Sequence, residues 1–393
     1  MSIQHTLAGI ASACIILSSC TSSTNENKTE KTEVKDSVKI EAEPKKQLAF
    51  DTLLTDASRF IAGMPTHKYL KEEQAAEYYS EHKTFTDESW KITQDSMINP
   101  VQKWCADNKI QDQRDSLLCF YPLSGPDFLF GNAFFPTADH FVMLGLEPRG
   151  NMVDFRELKE AEIIKYLSGI RQSMKYINSR GYFVTSHMSS DFTKAHLNGM
   201  LHMMLYMMAR TNHAIVDIYN VKIDSTGKAI RLAEGEKYTG DSPLAVKIEF
   251  LSPDGTELRD AYYFKMNAAD DYLLKHTEFE TFVNGFGHRV SYMKSASCVL
   301  QNTPFSVMRK LVLNSDKVLQ DDTGVPYKYF LDDSTFSISL YGTYSQTIDD
   351  LDWCMQKQLK KDLEASKHYG NLPFKISYNG NYGEGMMIWA VKK

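Results

Sequence analysis

Two short, nearly continuous apolar runs, LLCFYPL at 117–123 and HFVMLGL at 140–146, restrict the fold more than any other feature of the chain. Runs of that length bounded by turn residues read as strands, and strands apolar at almost every position are covered on both faces. The residues between them suffice for a crossover connection, so the pair fits a parallel arrangement. Asp154 and Glu157 form a capping-box signature for a helix whose Ile163, Leu167, Ile170, Met174 and Ile177 recur at three and four, closing at Gly181. GYFVTSH at 181–187 is a short strand, Ser190 or Asp191 caps a second helix running to Arg210, and AIVDIYNV at 214–221 is another strand. Strand, helix, strand, helix, strand predicts a parallel βαβ-type sheet over 117–221.

The flanking regions read differently. Residues 50–110 carry helical periodicity, with Phe50, Leu53, Leu54, Ala57 and Phe60 ahead of a stop at Gly63-Met64-Pro65. After 222, AVKIEFL at 245–251 alternates strictly, turns at Ser252-Pro253-Asp254-Gly255 and returns through Ala261–Met266 as an antiparallel hairpin. Helices near 275–285 and 304–314, a strand at 335–341, a helix from Thr347 to Ala365 and a last strand at 385–391 follow. The predicted class is mixed, α/β to α+β. It comprises a helical N-terminal segment, an α/β unit over 48–222 and an α+β unit over 223–393, and the two units can share one sheet. With 393 residues, 42% apolar and 12% aromatic, the chain can build so large a core. Forty-four basic residues against 50 acidic ones give a net charge of -6 with no basic tract, which argues against a nucleic-acid partner.

The N-terminus carries an address. Residues 7–17, LAGIASACIIL, are apolar but too few to span a bilayer, and Leu17-Ser18-Ser19-Cys20 follows. This stretch resembles the lipobox of bacterial lipoproteins, although its leading MSIQHT lacks Lys and Arg. The resemblance implies a signal peptide over 1–19, diacylglycerol on Cys20 and acylation (palmitate) of its amino group, the membrane being the implied partner. Residues 21–47 interleave acids and lysines without an aromatic, so 20–47 reads as a solvated tether reaching on the order of 30 Å. No acid follows Cys20 directly, which favours the outer membrane, on its periplasmic or surface face.

Beyond Cys20 the mature chain holds Cys105, Cys119, Cys298 and Cys354. Four cysteines allow three pairings in an oxidising envelope. Cys105 with Cys119 would close a loop of about 15 residues, and four unpaired buried thiols are an equal alternative. Their spacing fits no zinc site.

Ligands of parallel sheets bind outside the carboxyl ends of the strands. That rule selects Ser124-Gly125-Pro126-Asp127, Glu147-Pro148-Arg149-Gly150 and Ser186-His187-Met188-Ser189, although plain turns use the same residues. Ser124, Asp127, Glu147 and His187 are the candidate catalytic groups, and Arg149 is a candidate ligand contact. Ser124, Glu147, His187 follows the chain order of α/β-hydrolase triads, but Ser124 lies in Pro-Leu-Ser-Gly-Pro and not in the GxSxG elbow. HLNGMLHMMLYMMAR, with His196, His202 and a methionine stripe, offers soft copper ligands; His196 and His202 are too far around a helix to share one ion, and the stripe also suits a core. Asp321 and Asp322 fit no calcium loop, and the tyrosines around Asn379-Gly380 fit a hairpin turn. Nothing in the sequence calls for a cofactor or a resident metal.

YPLSGPDF at 121–128 and QDDTGVPYKYF at 320–330 resemble motifs of an uncharacterised family of bacterial envelope proteins, over most of 110–393. The resemblance implies an envelope location and no catalytic residue. The reading is a lipid-anchored cell-envelope protein with a binding or structural role. The alternatives are a hydrolase at the Ser124/Asp127/Glu147/His187 edge and copper handling by the helix 196–208.

Overall fold

The computed structural model describes residues 46–112, 114–183, 197–233, 235–236, 238–332 and 334–393. The two apolar runs are its centre: β1 (Leu117–Tyr121) and β2 (His140–Gly145) lie side by side and parallel, Leu118 opposite His140. Side chains alternate across them as a pleated strand requires. Leu117, Cys119, Tyr121, Phe141 and Met143 enter one core; Leu118, Phe120, Val142 and Leu144 enter a second core on the other face.

The other strands are β3 (Ile215–Ile223), β4 (Ala229–Arg231), β5 (Leu244–Leu251), β6 (Leu258–Lys265), β7 (His288–Met293), β8 (Lys317–Gln320), β9 (Phe336–Thr343) and β10 (Gly385–Lys392). Among the described residues they form one ten-stranded sheet ordered β4-β3-β5-β6-β2-β1-β7-β8-β10-β9. Its middle, β6-β2-β1-β7-β8, is wholly parallel. Antiparallel β5, β3 and β4 extend one edge, and β10 and β9 the other. The fold is therefore mixed α/β. Residues of helices Thr52–Ile61, Asn99–Asp107, Phe128–Phe134, Glu160–Arg180 and Leu201–Arg210 pack into the first core. Those of Thr277–Asn284, Ser306–Leu313 and Lys357–Glu364 pack into the second. No helix among the described residues is long and apolar enough to cross a membrane.

Several local expectations are corrected. β3 does not continue a parallel series; it pairs antiparallel with β5, whose hairpin to β6 delivers β6 to β2. The remaining parallel partners of β1 and β2 thus come from the C-terminal half, and strands from both sides of residue 222 interleave in one unit spanning Lys45–Lys393. Gly181 caps the long helix at φ 79° and Tyr182 and Phe183 form no strand, while residues 184–196, with the expected Ser190 or Asp191 cap, lie outside the described residues. Asp154 caps only the short turn Phe155–Glu157; the helix proper begins at Glu160, with Glu162 accepting from the Lys159 amide at 2.9 Å. The helix expected from Thr347 to Ala365 divides into a 3-10 segment, Asp349–Cys354, and Lys357–Glu364, because Gln356 turns extended between them. The Asn379-Gly380 stretch is a 3-10 turn, not a hairpin.

The disulfide joins Cys298 to Cys354, with Cα atoms 6.3 Å apart. Cys105 and Cys119 are buried free thiols facing the same apolar core, and burial raises both pKa values. The short-loop pairing is not formed.

Candidate functional site

β1 is followed in the chain by β2 on one side, whereas β7 on its other side leads on to β8. At such a divergence the connections leave in opposite directions and a crevice opens past the carboxyl ends of the strands. A cavity of about 200 Å³ lies there, bordered by the segments after β1, β2 and β7 and by Tyr182 and Tyr378.

After β1, Leu123 (φ 60°) and Gly125 (φ 57°) turn the chain sharply, and the Gly125 amide donates to the Leu144 carbonyl at 3.0 Å, tying this loop to β2. Asp127 then caps helix Phe128–Phe134, accepting from the Phe130 amide at 3.1 Å. Its other oxygen accepts from the Tyr121 hydroxyl at 2.9 Å and meets the Lys294 ammonium at 2.6 Å. Both charged side chains are only 2% exposed. Lys294 also donates to the Gly181 carbonyl and stands over the Phe130 ring, 4.4 Å from its centroid. Burial first, and then the Asp127 charge, push the Tyr121 phenol well above its ordinary value, so it stays a donor.

After β2, Glu147 is buried, with the Tyr263 hydroxyl 3.3 Å from its carboxylate. Among the described residues no basic side chain forms an ion pair with it. Gly145 makes this placement possible. A Cβ there would lie 2.4 Å from the Tyr263 hydroxyl and 2.7 Å from a Glu147 carboxylate oxygen.

The loop after β7 is conformationally costly. Ser295, Ser297 and Cys298 all hold positive φ, at 50°, 51° and 55°, each worth roughly 1–3 kcal/mol of strain for a residue with a side chain. Specific bonds hold it there. Asp321 accepts from the Ser295 amide at 2.6 Å, and the Thr323 hydroxyl from the Ala296 amide at 2.7 Å. Tyr378 donates to the Ser295 carbonyl at 2.7 Å and meets the Ser297 hydroxyl at 2.7 Å. Asp321 and Asp322 are buried behind this loop. Burial raises the carboxyl pKa of Asp321; burial and the neighbouring Asp321 push Asp322 up to about 8. Strain of this kind persists where surrounding contacts over-determine it, typically at binding and catalytic sites.

Of the residues singled out at the strand ends, Ser124, Asp127 and Glu147 border this one cavity. The Ser124 hydroxyl donates to the Gly125 carbonyl at 2.7 Å, which commits its proton to backbone and not to a base. His187 lies outside the described residues. Arg149 is not brought to the cavity: it reaches Asn220 at 2.8 Å and the Ala245 carbonyl at 3.3 Å on the β3–β5 side. Lys294, the cation of the site, has no local sequence signal, since MKSAS after a strand resembles any turn. Asp321 supports the loop after β7, and Tyr378 is a wall of the cavity.

Copper handling required accessible sulfurs, yet Met200, Met203, Met204, Met207 and Met208 are all fully buried. His202 is buried too, bonded through Nε2 to the Asn151 carbonyl at 3.0 Å, and burial lowers its pKa to about 4. His196 lies outside the described residues. Among the described residues no group of three or more His, Cys, Asp or Glu could hold a metal. No protein-family profile, curated protein or solved structure matches the chain.

Proposed function

We propose that this is a lipid-anchored cell-envelope protein, tethered through acylated Cys20, whose folded domain binds a small polar molecule at the switch point between β1 and β7. The cavity carries the binding part of the reading: strained loops after β1 and β7 are held around it by dedicated hydrogen bonds. The charges favour a particular ligand chemistry. Lys294 is neutralised by Asp127, whereas the Glu147 carboxylate meets the Tyr263 hydroxyl. A buried carboxylate answered, among the described residues, by a hydroxyl is best satisfied by a ligand that donates, such as an amine or a polyol. The Ser124 bond to backbone supports binding over nucleophilic catalysis at this edge. The Cys298–Cys354 disulfide suits the oxidising envelope that the lipobox resemblance implies.

Two experiments test the two halves. Grown with labelled palmitate, cells producing the wild-type chain are expected to yield labelled, membrane-sedimenting protein, and Cys20→Ser to abolish both properties; label retained in Cys20→Ser would exclude the anchor. For the pocket, small amines and polyols are screened for a rise in melting temperature. A ligand at 100 times its Kd adds about 2.7 kcal/mol of stability. The same compounds are expected to lose at least about tenfold in affinity, roughly 1.4 kcal/mol, in Glu147→Gln. Equal shifts in wild type and variant would contradict the role given to Glu147.

A further inference from the structure

The opposite edge of the sheet, where the parallel strands begin, holds a second arrangement independent of the pocket. Ser116 directly precedes β1, His140 opens β2, and Asp260 lies on β6. The register sets Leu118 beside His140 and His140 beside Asp260. The Nδ1 atom of His140 is 2.7 Å from the Asp260 carboxylate, and its Nε2 atom is 3.4 Å from the Ser116 hydroxyl. An ionised carboxylate only accepts, so the imidazole proton sits on Nδ1 and the Nε2 lone pair faces the serine. Asp260 is fixed in turn by the Lys247 ammonium at 3.1 Å, itself 3.0 Å from Glu249, and by the Tyr262 hydroxyl at 3.4 Å. The Phe286 ring packs against the imidazole, with centroids 5.0 Å apart. Ser116 is exposed and holds a strained φ of 55°. A nucleophile, a base in reach of it and a third group orienting the base are the functional definition of a serine relay, whatever the chain order or fold.

We propose that Ser116 is an activated nucleophile, with His140 as its general base and Asp260 as the residue positioning that base, and that it reacts with activated carboxylic esters. In the first step the Ser116 oxygen bonds to the ester carbonyl carbon and its proton passes to His140 Nε2. The bond to the leaving alkoxide or phenolate breaks, and that group takes the proton from His140. Water, deprotonated by His140, then cleaves the acyl-serine to the carboxylic acid and restores the hydroxyl. The amide following the serine is engaged by the Asp139 carboxylate at 3.0 Å, so it gives no hydrogen bond to a developing oxyanion. This restricts the class to esters with good leaving groups, such as aryl esters.

The test is labelling of the full mature chain with a fluorophosphonate, followed by peptide mass spectrometry. Expected are a single phosphonyl adduct on Ser116, absent in Ser116→Ala, and labelling at least tenfold slower in His140→Gln and in Asp260→Asn. The labelling rate of the wild type should rise with pH, as reaction through a general base requires, and that of His140→Gln should not. No adduct on Ser116 would overturn the proposal. So would an adduct that forms equally fast in His140→Gln with a flat pH profile, because a merely structural histidine would leave the rate unchanged.

Discussion

Replacing Lys294 with methionine is expected to lower the unfolding free energy by about 3–5 kcal/mol, as removal of one partner of a buried ion pair does elsewhere. The side chain is 2% exposed and satisfies the Asp127 carboxylate and the Gly181 carbonyl together. Methionine fills similar space but leaves Asp127, among the described residues, with the Tyr121 hydroxyl and the Phe130 amide, an uncompensated buried charge. Adding Asp127→Asn removes that charge, keeps an acceptor for the Phe130 amide and sets an NH2 donor against the Tyr121 oxygen, so the double variant should recover a substantial part of the loss. Urea denaturation of the four members of this cycle measures the coupling directly. A loss below about 1 kcal/mol for Lys294→Met would mean that water or another cation reaches Asp127, contrary to the burial described.

Removing the Cys298–Cys354 disulfide, by changing both residues to alanine, is expected to cost about 2–4 kcal/mol. The bond closes a separation of 56 residues, and its loss releases entropy to the unfolded chain. The native state is affected as well. Cys298 ends the strained 295–298 turn, and Cys354 ends the 3-10 segment that interrupts the expected helix. The double variant should therefore melt lower than the oxidised wild type, and dithiothreitol should lower the wild type to meet it while leaving the variant unchanged. Identical melting of wild type with and without reductant would show that this cross-link carries no stability.

The sequence made some of this architecture readable for definite reasons. β1 and β2 are covered on both faces, so nearly every residue is apolar and each run announces itself. Strand order is another matter. β7 and β8 mix serine, arginine, lysine and glutamine with apolar residues, and the parallel pairing of β7 to β1 joins segments more than 150 residues apart, which no local pattern encodes. The same separation explains the site. The strand-end rule reached Ser124, Asp127 and Glu147 because they follow recognisable strands, but it missed Lys294 because β7 was not recognised. Arg149 shows the limit of adjacency: two residues beyond Glu147 the chain has already turned toward Asn220. Cysteine spacing left the pairing open, whereas it was settled by the long-range approach of the 298 turn to residue 354. The Ser116, His140 and Asp260 contact has no sequence signature at all, since each residue merely borders or occupies a different strand.

The most direct test of the switch-point site is hydrogen–deuterium exchange of the full chain with and without the amine or polyol that raises its melting temperature most. The account predicts added protection confined to the loops after β1, β2 and β7, at 122–128, 145–148 and 294–298, and its loss in Glu147→Gln. Protection elsewhere, with those three loops exchanging as in the free protein, would contradict it.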